Sequence, residues 1–296
     1  PSQPITTKRE FTQPHLTDVV DHTTQEVRRL GIKPATPQKI GNYVFVGSAA
    51  ANVLEHGDYG NIMTSDSGKV VILNHDDLSE PQSLPTIEVP TGITGEEINN
   101  EFFGGELSSN SNELFVSRSA HKAEHFTSVA PKVYVYEPIE NGDGILTTVT
   151  LRQTITQDSH TTNDSFGYSI DATDDWLVIG APGTEIYNDP VEGGKPAVYG
   201  KVYIYKKNLD TNQWDLNTTI DSANPIHNET LDGDAWFGFS VSISDSYVAI
   251  GCPRDKELVD GVNEYKFGSV FIYSLNAAAD SWTYNQKIDF ADLFIG

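Results

Sequence analysis

Phe166-Gly167-Tyr168-Ser169-Ile170, then Leu177-Val178-Ile179-Gly180-Ala181-Pro182, then Lys201-Val202-Tyr203-Ile204-Tyr205: these pieces of residues 166–205 carry the reading of the fold. Each apolar run is short, rich in β-branched and aromatic residues, and bounded by Gly, Asn, Asp or Ser, so each is predicted as a strand. The run Val202-Tyr203-Ile204-Tyr205 is apolar on both faces. A strand of that kind sits in a sheet packed between two other layers. The polar stretch Asp171 to Asp175 is a tight turn joining the first strand to the second.

Working outward, the same elements recur in the same order. Runs like Leu177-Val178-Ile179-Gly180 stand at Val44-Phe45-Val46-Gly47, Leu114-Phe115-Val116-Ser117 and Val248-Ala249-Ile250-Gly251, with last residues 70, 63 and 71 apart. Runs like Val202-Tyr203-Ile204 stand at Val70-Val71-Ile72, Val133-Tyr134-Val135 and Val270-Phe271-Ile272, with first valines 63, 69 and 68 apart. Phe103-Gly104, Phe166-Gly167 and Phe237-Gly238 each begin 14 residues before the end of the apolar run that follows. Trp214 to Ile220 and Trp282 to Ile288 close the last two units. Each period thus holds about four strands, A to D, and four-stranded units repeated around an axis form a β-propeller. The predicted fold is all-β, with blades near 35–90, 91–156, 157–221 and 222–290.

The order Phe-Gly, short strand, Leu-Val-Ile-Gly-Ala-Pro, Gly-Lys-Val-Tyr-Ile-Tyr, Trp strand resembles the FG-GAP repeat, which builds the propellers of integrin α-subunits and of many bacterial and viral surface proteins. Phe166 to Tyr205 matches best and Phe237 to Tyr273 follows, with Gly251-Cys252-Pro253 in place of Gly-Ala-Pro. The second unit is degenerate at Ser117-Arg118-Ser119, and the first lacks Phe-Gly. The resemblance extends over roughly residues 35–296. It implies structural roles for the motif residues: the glycines permit turns or close approach, and Phe166 and Phe237 plug the wedge between blades. Four units fall within the usual range of about 4 to 8 blades, so the blade number stays open.

The chain has 296 residues, with 19 Lys+Arg, 42 Asp+Glu and a net charge of −23. That balance argues against binding to a phosphate backbone, so no nucleic-acid partner is expected. The longest apolar-leaning run, Val44 to Leu54, is too short to cross a bilayer, so no membrane insertion is expected. Cys252 is the single cysteine, which excludes an intrachain disulfide. Residues 1–34 lie outside the repeat and are predicted as an extended arm with a short helix over 17–30, carrying Val19, Val20, Val27, Arg28, Arg29 and Leu30. Up to Ile40 there are six Lys+Arg and four Asp+Glu, a net of +2, which leaves −25 for the rest. An arm of that sign on an acidic body suggests docking onto a partner subunit or onto its own surface.

Motifs for chemistry are weak. His121-Lys122-Ala123-Glu124-His125 has the spacing of an inverted zincin helix, but it falls in a loop between strands B and C. Ser119-Ala120-His121-Lys122 has none of its companion motifs, and Gly193-Gly194-Lys195-Pro196 lacks the Ser/Thr of a phosphate loop. FG-GAP-type repeats often carry calcium loops of alternating carboxylates between strands A and B. Here those turns are too short, and Asp171-Ala172-Thr173-Asp174-Asp175 lacks both the alternation and the glycine. Neither a metal nor a cofactor is expected.

Function on a scaffold of this kind usually sits on loops. The long ones are B–C, at 48–68, 118–131, 183–200 and 254–268, and they share a face with the D–A connections. They place His56, Asp58, Tyr59, Glu185, Tyr187, Asp189, Glu264 and Tyr265 as candidate ligand residues. The expectation is a structural or recognition module without enzymatic activity, at a virion (phage tail or fibre) or on a cell surface. It would dock to protein subunits and present its loop face to a surface glycan or receptor, with homo-oligomer formation left open. The alternative is a propeller hydrolase or lyase acting on a polysaccharide.

Overall fold

Apolar runs of four to six residues separated by Asx- and Gly-rich turns can bury themselves only by pairing edge to edge and then stacking face to face. The computed structural model has that arrangement. It describes residues 35–48, 69–77, 86–88, 90, 103–119, 131–157, 165–182, 200–222, 235–259, 263–266 and 268–289. Among them are eighteen β-strands and no helix.

Four antiparallel four-stranded sheets follow one another along the chain. The first is β1 (Gln38–Ile40), β2 (Tyr43–Ser48), β3 (Lys69–Asn74) and β4 (Thr86–Glu88). The second is β5 (Phe103–Ser109), β6 (Leu114–Arg118), β7 (Lys132–Glu140) and β8 (Leu146–Ile155). The third is β9 (Ser169–Ala172), β10 (Trp176–Ala181), β11 (Lys201–Asn208) and β12 (Gln213–Asp221). The fourth is β13 (Ser240–Ile243), β14 (Tyr247–Cys252), β17 (Ser269–Asn276) and β18 (Ser281–Asp289). Each sheet runs A-B-C-D in chain order, the meander of a propeller blade. The B strands lie where the repeat puts them. In blades 2, 3 and 4 the C–D ladder slips at equivalent places, after Val135, Ile204 and Ile272, a bulge that twists the outer strand.

One stretch departs from the sequence reading. The predicted loop 254–268 contains a two-stranded hairpin, β15 (Lys256–Val259) with β16 (Asn263–Lys266). Asp260-Gly261 in its three-residue link is a hairpin turn signal. The charged residues around it, Lys256, Glu257, Glu264 and Lys266, hide that signal from a search for apolar runs. The predicted arm over 1–34, with its helix 17–30, lies outside the described residues.

The core is not central but lies in slabs between blades. One buried cluster joins Phe45, Val70, Ile72 and Ile87 of blade 1 to Phe103, Leu114, Val116 and Tyr134 of blade 2. A second joins Phe115, Val133, Val135 and Ile155 of blade 2 to Phe166, Leu177, Ile179 and Trp214 around blade 3. A third joins Trp176, Val178, Val202 and Ile204 of blade 3 to Phe237, Val248, Ile250, Phe271 and Trp282 of blade 4. Phe103, Phe166 and Phe237 are almost fully buried at these junctions, each edge-on to a C-strand ring of its own blade: Tyr134 at 5.6 Å, Tyr203 at 5.3 Å and Phe271 at 5.5 Å. The plug role read from the motif is the one these side chains take. Gly167 and Gly238 follow two of them with φ of 82° and 87°, a backbone conformation that costs glycine little.

Polar latches reinforce the slabs. The turn acids, considered above as cation ligands, accept hydrogen bonds from neighbouring blades instead. Asp171 Oδ2 accepts from Ser242 Oγ at 2.9 Å and Ile243 N at 2.8 Å, and Asp174 accepts from Ser111 N at 2.9 Å and Ser111 Oγ at 2.8 Å. Glu113 is buried between blades 2 and 3, where it pairs with Lys207 Nζ at 2.6 Å and accepts from Trp214 Nε1 at 3.1 Å. Burial of both ends makes that pair costly to break from one side.

Candidate functional site

The D–A connections deliver the chain to each A strand through a Phe-Gly corner. Once the phenylalanine is buried and the glycine has turned, the residues flanking the corner stay at the face shared with the B–C connections. In blades 3 and 4 those residues are Tyr168, Trp236 and Phe239. Arg254 reaches the same place from the end of β14, where its backbone N–H donates to Ala235 O at 3.2 Å.

The four side chains form one row. Tyr168 and Phe239 have ring centroids 4.9 Å apart, Phe239 and Trp236 stack at 5.6 Å with planes 17° apart, and the Arg254 guanidinium lies 4.7 Å over the Trp236 ring. All four are half-buried. Trp236 has φ of 59°, and Ser165 at the equivalent place has 49°. A left-handed conformation is strained for a bulky side chain, and such strain concentrates at functional positions. Burial raises the Tyr168 hydroxyl pKa above its usual value, and the Glu106 charge adds to that, so Tyr168 acts there as a neutral donor or acceptor.

Beneath the base of the hairpin lies a second polar group. Asp255 is buried and accepts from Ser269 Oγ at 2.7 Å and Lys287 Nζ at 2.9 Å, while Lys287 also reaches Asp289 at 3.1 Å. Burial alone would lower the Lys287 pKa. The hydrogen bonds and charges of Asp255 and Asp289 outweigh that, and the net shift is upward. Cys252 is buried beside this group and donates to Ala235 O at 3.2 Å, and burial pushes its thiol pKa up, so it stays protonated and inert. This network fixes where β14 ends and Arg254 begins. Among the described residues no group of three or more His, Cys, Asp or Glu side chains could hold a metal ion.

His56, Asp58, Tyr59, Glu185, Tyr187 and Asp189 lie outside the described residues, as do the arm residues Val19, Val20, Val27, Arg28, Arg29 and Leu30. So does the motif His121 to His125. Glu264 and Tyr265 are in β16, placed by backbone alone. The aromatic row was missed because Trp236 and Phe239 flank a motif whose structural role is sufficient to explain it. A signal was present: Trp236-Phe237-Gly238-Phe239 has three aromatics where a blade plug needs one.

Comparison with known proteins adds a family and one fold relative. Residues 149–205 match the FG-GAP repeat, which spans the outer strand of blade 2 and the first three strands of blade 3. No curated protein matches the chain. Among solved structures, Trypanosoma rangeli sialidase in complex with the inhibitor DANA is similar, with 11% identity and a TM-score of 0.41, over 85% of this chain and 37% of that one. The chain therefore spans little more than a third of the length of that relative. The expectation that this chain lacks enzymatic activity does not stand, because a protein similar to it is an enzyme. The motif residues explain how blades pack and are silent on the chemistry of the loops above them. A likeness this distant assigns no activity in return.

Proposed function

We propose that this chain, with its FG-GAP repeat set in a β-propeller, serves as a recognition module in a larger assembly at a virion or cell surface. It docks there to protein subunits through the face shared by its B–C and D–A connections. The observation that carries this reading is the row Tyr168, Phe239, Trp236 and Arg254. Trp, Tyr and Arg are the residue types that dominate binding energy at protein interfaces. Stacked aromatics offer rigid apolar area, and the guanidinium and hydroxyl supply hydrogen bonds at its margin. The net charge of −23 favours a partner with a basic surface and an association that salt weakens. The arm 1–34, opposite in sign to the body, is a second docking element.

The test is co-fractionation of the protein with its parent particle. Trp236→Ala and Arg254→Ala variants should fold normally, with unchanged circular dichroism and melting temperature, yet leave the particle fraction. Deletion of 1–34 should weaken association separately. Normal incorporation of both point variants refutes the role given to the row. A change in tryptophan fluorescence on titration with neutral and acidic oligosaccharides, absent in Trp236→Ala, would assign the row to a surface glycan instead.

A further inference from the structure

Alternation along the strands sends one side-chain set of each blade forward, to the next blade, and the other back. Five forward positions are equivalent in all four blades: Tyr43, Phe45, Val70, Ile72 and Ile87 in blade 1; Glu113, Phe115, Val133, Val135 and Ile155 in blade 2; Trp176, Val178, Val202, Ile204 and Ile220 in blade 3; Tyr247, Ala249, Val270, Ile272 and Ile288 in blade 4. The pairings Val70–Ile87, Val133–Ile155, Val202–Ile220 and Val270–Ile288 confirm the alignment. In blades 1 to 3 every one of these side chains is buried by the blade that follows. In blade 4 none is. Tyr43, Glu113 and Trp176 are 5%, 6% and 4% exposed, against 54% for Tyr247. Ile87, Ile155 and Ile220 are 7%, 4% and 1% exposed, against 39% for Ile288.

A second observation points to the same face. At the end of each B strand, a Cβ on Gly47 or Gly180 would collide with the carbonyl of Gly104 or Gly238, in the Phe-Gly corner of the following blade. The equivalent Ser117 donates its hydroxyl to Gly167 O at 2.6 Å. Gly251 holds the fourth such position, yet its nearest neighbours are atoms of Ser240 in its own blade. A glycine stands there with no Phe-Gly corner against it.

We infer that the forward face of blade 4 is the docking surface for one further blade of this repeat, carried on the same polypeptide and entering with its own Phe-Gly corner against Gly251. Blade 1 is not that blade, whether it closes a ring or comes from a second copy. Its backward face has Val71 and Leu73 where the other blades have Tyr134 and Tyr136, Tyr203 and Tyr205, or Phe271 and Tyr273. The residue 14 places before Gly47 is Lys33 rather than a phenylalanine plug. Every existing junction joins blades successive in one chain, and β18 leads the backbone off along the outer edge just as β8 and β12 do.

Hydroxyl-radical footprinting of Tyr247 in the intact gene product, over a dilution series and with Tyr43 as the buried reference, tests this. Covered by a blade, Tyr247 should drop from 54% exposure to about the 5% of Tyr43, a roughly tenfold loss of labelling, at every concentration. Residues 1–296 alone should label Tyr247 freely. Strong labelling of Tyr247 in the intact protein overturns the inference. So does protection lost on dilution, which would assign the face to a second copy. Protection that persists in residues 1–296 alone overturns it too, because the cover would then come from within this segment.

Discussion

Replacing Phe166 by alanine should remove the plug of the blade 2–blade 3 junction. The side chain is fully buried, 5.3 Å edge-on from Tyr203, in one cluster with Phe115, Val133, Val135 and Ile155 of blade 2 and Leu177, Ile179 and Trp214 of blade 3. Two rigid sheets latched by the Glu113–Lys207 pair at 2.6 Å cannot close over the space left behind. The cost should therefore be that of a core Phe→Ala with its cavity, about 3–5 kcal/mol. Against a total stability of about 5–15 kcal/mol, that is a large fraction. It corresponds to a melting temperature lower by roughly 6–20 °C for a protein of this size class. The assay is urea denaturation followed by circular dichroism and tryptophan fluorescence together. Trp214 lies in the same cluster, so both signals should shift to lower urea. Phe166→Leu, which retains branched apolar bulk, should lose less. A Phe166→Ala loss below about 1 kcal/mol, the range of ordinary surface changes, refutes the wedge argument.

Lys207→Ala leaves the Glu113 carboxylate buried and unpaired beside Trp214, and should cost about 3–5 kcal/mol by denaturation, whereas Lys207→Met with Glu113→Gln together should cost much less. The raised pKa of Lys287 has a defined pH signature. A lysine held above its ordinary value, about 10.4, contributes stability that is complete below that value and is lost as pH climbs through the higher folded value. The stability gap between wild type and Lys287→Met should thus stay constant from neutral pH to about 9 and shrink only above about 10.4. Shrinkage near neutrality would mean that Asp255 and Asp289 do not hold the ammonium.

The repeat was legible because its two periodicities are local. Alternation within Val202-Tyr203-Ile204-Tyr205 and the spacing of 14 residues from Phe to strand end depend only on strand and turn geometry, so sequence by itself determined the strands, their order and their grouping into blades. It also determined that Phe103, Phe166 and Phe237 are structural, because each stands at the same offset from a strand that must be buried. Charge and the single cysteine were equally plain. The hairpin β15–β16 was hidden because its strands carry little apolar signal. Tertiary structure alone decided what depends on contacts between blades. The acids of the A–B turns became hydrogen-bond acceptors for their neighbours, since Asp171 meets Ser242 only once blades 3 and 4 stack. Tyr168, Trp236, Phe239 and Arg254, drawn from three separate places in the chain, became one row only when two Phe-Gly corners came side by side. Tyr247 and Trp176 read alike in sequence, as aromatics opening equivalent strands. One is buried and the other exposed because burial belongs to the neighbour that a residue meets, and that neighbour is not encoded in the residue itself.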